Sequence, residues 1–138
     1  MFNNCYNLES FTYTTSYSAN SIRDLRGMFY NCSSLKSFQF HDLNMNNNNY
    51  YINMSYMFYN CEVLSSISFD SNYLSYINDL KGAFYNCFSL TTINLERIRT
   101  NSYIDISYLF YNCRKLKSIN YINFNVKEIK YLFYIVIH

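Results

Sequence analysis

Five cysteines, Cys5, Cys32, Cys61, Cys87 and Cys113, recur at intervals of 27, 29, 26 and 26 residues, and each stands in the same phrase. Two copies read Met28-Phe29-Tyr30-Asn31-Cys32-Ser33-Ser34-Leu35-Lys36-Ser37-Phe38-Gln39-Phe40 and Met57-Phe58-Tyr59-Asn60-Cys61-Glu62-Val63-Leu64-Ser65-Ser66-Ile67-Ser68-Phe69. A period of this size marks a stacked repeat architecture, in which one unit cannot bury its own apolar side and neighbouring units bury it jointly. The whole of residues 1–138 therefore reads as a single array, with coils beginning near Met1, Met28, Met57, Ala83 and Leu109 and an incomplete copy from Leu132.

Each unit divides into two halves. In the first, Ile77, Leu80, Phe84 and Cys87 follow one another at three, four and three residues. That spacing predicts one face of a short helix. Asp79, with Asp24 and Glu128 at equivalent places, would sit in its first turn, where acids suit capping and the helix dipole. The second half reads Leu-x-x-Ile-x-Leu, as at Leu90, Ile93 and Leu95, and its alternation predicts a short strand. The Asn46–Asn49 run in the 29-residue interval is expected to be a loop insertion on one edge. Asn4, Asn31, Asn60, Asn86 and Asn112 each precede a repeat cysteine, where the helix must turn into the strand. Asparagine tolerates the left-handed backbone required there. The expected core is a column of Phe29, Phe58, Phe84 and Phe110 beside a column of Cys32, Cys61, Cys87 and Cys113.

The motif Met-Phe-x-Asn-Cys-x-x-Leu-x-Ser-Ile-x-Phe, with an upstream Ile/Val-x-x-Leu/Met, resembles the BspA-like leucine-rich-repeat surface proteins, and most closely their mycoplasma-lipoprotein-type repeat. Ile52-Asn53-Met54-Ser55-Tyr56-Met57-Phe58-Tyr59-Asn60-Cys61 is a near-consensus copy, and the resemblance runs from about Met1 to Tyr134. It implies a right-handed α/β solenoid of about five coils, with one short helix and one short parallel strand per coil. It also implies a place on the cell surface or outside the cell, and a role in adhesion or protein binding. Both ends cut into a repeat, so a segment of a longer array is the expectation. The first residues do not read as a secretory signal. Leu132–Ile137 is far short of the roughly 20 apolar residues that span a bilayer.

The residues supply little for chemistry. Zinc sites draw ligands from short-spaced pairs, whereas here one cysteine falls in each coil and His41 and His138 lie outside the motif. Disulfides between stacked coils are geometrically conceivable at about 5 Å, but the odd count and the place of each cysteine on the apolar stripe predict buried, reduced thiols. Neither a Gly-rich phosphate loop nor a pair of carboxylates at repeating positions is present, so neither catalysis nor a cofactor is expected. Asn31-Cys32-Ser33 and Asn53-Met54-Ser55 fit the glycosylation pattern, a weak signal in so asparagine-rich a chain.

Two faces are left for binding. Outward strand positions place Ser37, Gln39, Ser66, Ser68, Thr92, Asn94, Ser118 and Asn120 on a flat hydroxyl-and-amide face. On the helix side, Tyr30, Tyr56, Tyr59, Tyr85, Tyr108, Tyr111, Tyr131 and Tyr134 would form a broad aromatic surface, the kind of patch that marks interaction. The chain holds 17 Tyr and 12 Phe against 2 Gly and no Pro, which an AT-rich genome also explains. From Arg97 onward there are seven basic and two acidic residues, but they form no columns, and a nucleic-acid partner is not expected. The expected function is a non-catalytic binding or adhesion module for a protein or surface glycoconjugate. The rival reading is a structural spacer within a long array. With no polar capping repeat, the isolated chain is also expected to self-associate end to end.

Overall fold

The computed structural model describes residues 2–14, 23–41, 51–69, 77–96, 98–100, 104–120, 126–128 and 130–134. Asn46–Asn49 and the stretch from Ile135 to Ile137 lie outside them. Nine short strands follow one another: β1 (Ser10–Thr14), β2 (Ser37–His41), β3 (Ile52–Asn53), β4 (Ser66–Phe69), β5 (Ile77–Asp79), β6 (Thr92–Asn94), β7 (Ile104–Asp105), β8 (Ser118–Asn120) and β9 (Val126–Glu128). They form two parallel flanks. One runs β1-β2-β4, with β6 lying beside β4 and paired to β8, and the other runs β3-β5-β7-β9. Three turns are complete in both flanks among the described residues, β3 with β4, β5 with β6, and β7 with β8. The chain is a parallel-strand solenoid, as a leucine-rich-repeat array should be.

The short helix per coil is not there. Among the described residues no segment is helical, and the expected helix is a run of tight turns that follows a second, two- or three-residue strand. In one coil the amides of Met28, Tyr30 and Cys32 donate to the carbonyls of Leu25, Gly27 and Phe29, at 3.0–3.1 Å, each three residues back. The intervening amides cross to the next coil: Gly27 to Ser55, Phe29 to Met57 and Asn31 to Tyr59, at 2.8–3.0 Å. The same alternation recurs from Met54 to Cys61 and from Leu80 to Cys87. Backbone donors are thus satisfied by the stack, which a lone coil could not do.

Two positions in each run require the left-handed backbone. The first is filled by Gly27, Tyr56, Gly82, Tyr108 and Tyr131, and the second by Asn4, Asn31, Asn60, Asn86 and Asn112, all at φ between 51° and 61°. A helix cannot contain two such residues four apart. The expected left-handed asparagines are therefore present, but inside a staircase of turns. The acids cap these turns and no helix: the carboxylates of Asp24, Asp79 and Asp105 accept from the amides of Arg26, Lys81 and Ser107 at 2.7–3.0 Å. Asn53 does the same for Ser55 at 2.9 Å.

Side chains repeat with the coil. Rings of Phe2, Phe29, Phe58, Phe84, Phe110 and Phe133 stack at centroid distances of 5.5–5.7 Å. Phe29, Phe58 and Phe84 are wholly buried and Phe110 nearly so, as expected. Burying each such ring contributes about 1.5–3 kcal/mol. Asn31, Asn60, Asn86 and Asn112 donate their side-chain amides to the side-chain oxygen of the preceding asparagine, at 2.8–3.0 Å. The Asn31 amide nitrogen of the first glycosylation pattern donates to Asn4 in this ladder.

The cysteine column is more specific than a stripe of small hydrophobes. All five are free thiols, and the four from Cys32 onward are buried. The thiols of Cys32, Cys61, Cys87 and Cys113 donate to the carbonyls of Phe2, Phe29, Phe58 and Phe84, at 2.9–3.2 Å. Burial raises the Cys87 and Cys61 thiols well above the ordinary range, and Cys113 to about 12. Only a thiolate reacts readily with alkylating agents. In the native chain Cys61, Cys87 and Cys113 are expected to resist iodoacetamide while the half-exposed Cys5 is labelled first. Peptide mass spectrometry of a timed labelling checks this, and equal labelling of Cys5 and Cys87 would refute it.

Candidate functional site

Between the two flanks the turn staircase carries the tyrosines, and it lays them in two columns. The inner column is Tyr30, Tyr59, Tyr85, Tyr111 and Tyr134, each following a buried core residue or its equivalent. Successive rings stack at 4.6, 4.6, 4.3 and 5.1 Å with interplanar angles of 3–18°. The outer column is Tyr56, Tyr108 and Tyr131, with Gly27 and Gly82 at the equivalent places. Tyr108 and Tyr131 stack at 5.2 Å, and the Tyr56 ring lies where a side chain on Gly82 would collide with it at 2.8 Å. Outer and inner rings of one coil meet at 5.9–6.0 Å and 52–90°. Near the C-terminal end of the described array Tyr108, Tyr111, Tyr131 and Tyr134 line a trough of about 310 Å³.

All eight tyrosines singled out in the sequence lie on this flank, but not all as free surface. Tyr56, Tyr131 and Tyr134 are 36%, 57% and 47% exposed, while Tyr30, Tyr59, Tyr85, Tyr108 and Tyr111 are partly covered by one another. The surface is a turn flank and not a helix side. Burial, with Tyr111 beside it, pushes the Tyr85 hydroxyl up to about 12.

The left-handed tyrosines cost stability. An L-residue with a Cβ at that backbone costs roughly 1–2 kcal/mol, which glycine escapes and asparagine softens. Base composition accounts for tyrosines in general but not for these three. Asparagine has equally AT-rich codons, is abundant here, and fills the other left-handed position five times. Ring pairs return about 0.5–1.5 kcal/mol each, which offsets part of the strain.

The opposite candidate, the strand face, has the expected orientation. Gln39, Ser66, Thr92, Asn94, Ser118 and Asn120 are exposed, while Ser37 and Ser68 are half-buried. It is flat, and part of its hydrogen-bonding capacity is already used: Asn94 accepts from the amide of Glu96 at 2.9 Å.

A feature the sequence reading missed lies on the β3-β5-β7-β9 flank. Parallel register sets Asp79 opposite Asp105, and Asp105 opposite Glu128. Asp24, Asp79 and Glu128 are the acids expected at equivalent first-turn places; Asp105 joins them and sets carboxylates on adjoining coils, where none were expected in pairs, with Asn53 in place of an acid one coil before Asp79. Asp79 and Asp105 each already cap a turn, and Lys81 approaches Asp105 at 3.7 Å. Among the described residues no three histidine, cysteine or acidic side chains converge as metal ligands. Burial first, and then the charge of Asp105, raise the Asp79 carboxyl above its ordinary value, against the backbone hydrogen bond from Lys81. The folded carboxyl therefore holds its proton more tightly than the unfolded one. Its contribution to stability is present below the unfolded pKa and is lost as pH rises through the folded pKa. Asp79→Asn, the residue found at Asn53 one coil earlier, keeps the turn acceptor and removes the charge. It is expected to raise the melting temperature at neutral pH, with the gain shrinking in acid. A fall at neutral pH would contradict this account of Asp79.

A family model described as the BspA type leucine-rich repeat region matches residues 1–80 and 28–135, in six copies. No curated protein and no solved structure matches the chain. No helix among the described residues is long and apolar enough to cross a membrane.

Proposed function

The chain belongs to the BspA-type leucine-rich-repeat family, and we propose that it is a non-catalytic protein-binding or adhesion module of a surface protein, acting through the tyrosine flank. Repeats of this family suggest protein interaction and are typically surface-associated. The observation that carries the reading to this flank is the pair of tyrosine columns, three of whose members occupy backbone that folding alone would give to glycine or asparagine. Tyrosine combines apolar area, a polar tip and little side-chain entropy to lose, which makes it common at binding hot spots. The strand face offers hydroxyls and amides that water satisfies equally well.

The test compares two variants against a panel of purified extracellular-matrix and host-surface proteins. One carries Tyr56, Tyr131 and Tyr134 changed to Ser, the three most exposed of the set. The other carries Gln39, Ser66, Thr92 and Asn94 changed to Ala. Binding lost in the first and kept in the second supports the tyrosine flank. The reverse moves the site to the strand face. Binding untouched in both, or absent in the parent chain, favours the spacer reading, in which the array only holds its neighbours apart.

A further inference from the structure

The way the tyrosines stack limits what they can bind. In the inner column, and between Tyr108 and Tyr131, neighbouring rings lie nearly parallel at 4.3–5.2 Å. Tyr59, Tyr85 and Tyr111 have a stacked ring on both faces, and Tyr108, Tyr131 and Tyr134 on one. Along the columns a partner meets chiefly ring edges and hydroxyls. Ring edges are the electropositive part of the aromatic quadrupole, and tyrosine hydroxyls can donate hydrogen bonds. Partners that need ring faces, such as stacked nucleobases, are poorly served. Partners rich in acceptors are well served.

Charge points the same way. From Arg97 onward there are seven basic and two acidic residues, and one of those acids, Asp105, has Lys81 at 3.7 Å. Lys130 is exposed and directly precedes Tyr131. Arg114 donates from Nε to the side chain of Asn112, the residue after Tyr111, at 3.0 Å. The trough thus lies in the more basic part of the sequence, with Lys130 next to Tyr131 of the outer column, while the Arg114 guanidinium lies over the Phe88 ring at 4.9 Å.

We propose that the trough of Tyr108, Tyr111, Tyr131 and Tyr134 takes an extended acidic segment of a protein partner, its carboxylates and carbonyls meeting phenol hydroxyls, ring edges and the Lys130 ammonium. Tyr108 and Tyr131 are then kept at left-handed positions for recognition, at a cost to the fold. The inference rests on the tyrosine-flank reading above and adds the class of partner.

The experiment measures binding of the intact chain, by fluorescence anisotropy, to a short labelled peptide alternating glutamate with valine. Its glutamine counterpart and a single-stranded oligonucleotide serve as the other probes. The same titrations are made on Tyr108→Gly and Tyr131→Gly, the residue that Gly27 and Gly82 supply in sister coils. The expected result is binding of the glutamate peptide that weakens with salt, with affinity at least about tenfold lower for the glutamine peptide. Both glycine variants should lose about tenfold in affinity while melting no lower than the parent. Equal binding of the glutamine peptide would overturn the acidic partner while leaving the tyrosine flank in place. Preference for the oligonucleotide, or no binding of either peptide, would overturn it as well. Glycine variants that keep their affinity would overturn the site, and variants that melt lower would overturn the claim that these tyrosines are held at a cost.

Discussion

Replacing Phe84 by alanine is expected to destabilise the chain by about 3–5 kcal/mol, the usual cost of deleting a fully buried ring. Phe84 is wholly buried and stacks between Phe58 and Phe110 at 5.6 Å on either side. Its loss leaves a gap in the middle of a continuous column, where coils above and below are held at strand spacing and cannot close onto it. Because each coil is stabilised mainly by its neighbours, such a loss can separate the array into two weaker stacks. Urea denaturation followed by circular dichroism should show a lowered midpoint, and a broadened or two-step transition if the halves unfold separately. Phe133→Ala supplies the contrast. That ring is 60% exposed at the end of the column, and its removal should cost far less. Equal losses at the two positions would mean that the column is not the core.

Asn86→Ala is the second large effect. Asn86 sits at φ 58°, which alanine reaches at roughly 1–2 kcal/mol. It also holds two rungs of the amide ladder, donating to Asn60 at 2.8 Å and accepting from Asn112 at 2.9 Å. Each of the two rungs contributes about 0.5–1.5 kcal/mol, so with the backbone term about 2–5 kcal/mol is expected in all. Asn86→Gly separates the causes. It restores the backbone freedom and not the rungs, and it should recover part of the loss. If the glycine variant is as unstable as the alanine one, the rungs alone matter. If it equals the parent, the ladder contributes nothing.

The repeat, the phenylalanine and cysteine columns and the outward strand residues were legible in the sequence because they depend on recurrence and on two-residue alternation, which translation along a solenoid preserves. The helix was not there to be read. Ile77, Leu80, Phe84 and Cys87 bury side chains at intervals of three and four because successive three-residue turns bring a side chain inward at nearly the same period as a helix. The contrary signal was present in the residues themselves. Gly82 lies in the middle of the supposed helix, where it costs about 1 kcal/mol relative to alanine, and Asn86 follows four residues later. Two residues suited to left-handed backbone at that separation mark turns. The second set of strands escaped because its residues, Ile77 and Asp79 among them, read as the start of the supposed helix. The pairing of carboxylates escaped as well, since Asp79 and Asp105 come together only through the register of β5 and β7. Of the candidate site, the tyrosine positions were legible from their place in the repeat. Their strain and mutual stacking were not, because both follow from the turn conformation.

Turns that bond from coil to coil in place of helices set the tyrosines in stacked columns and put three of them on left-handed backbone. Trans-hydrogen-bond scalar couplings by NMR test this arrangement most directly. The amides of Asn31, Asn60 and Asn86 are predicted to couple to the carbonyl carbons of Tyr59, Tyr85 and Tyr111, the partners they meet at 2.8–2.9 Å in the next coil. Couplings from these amides to carbonyls four residues earlier in the same coil would restore the helix and contradict the account.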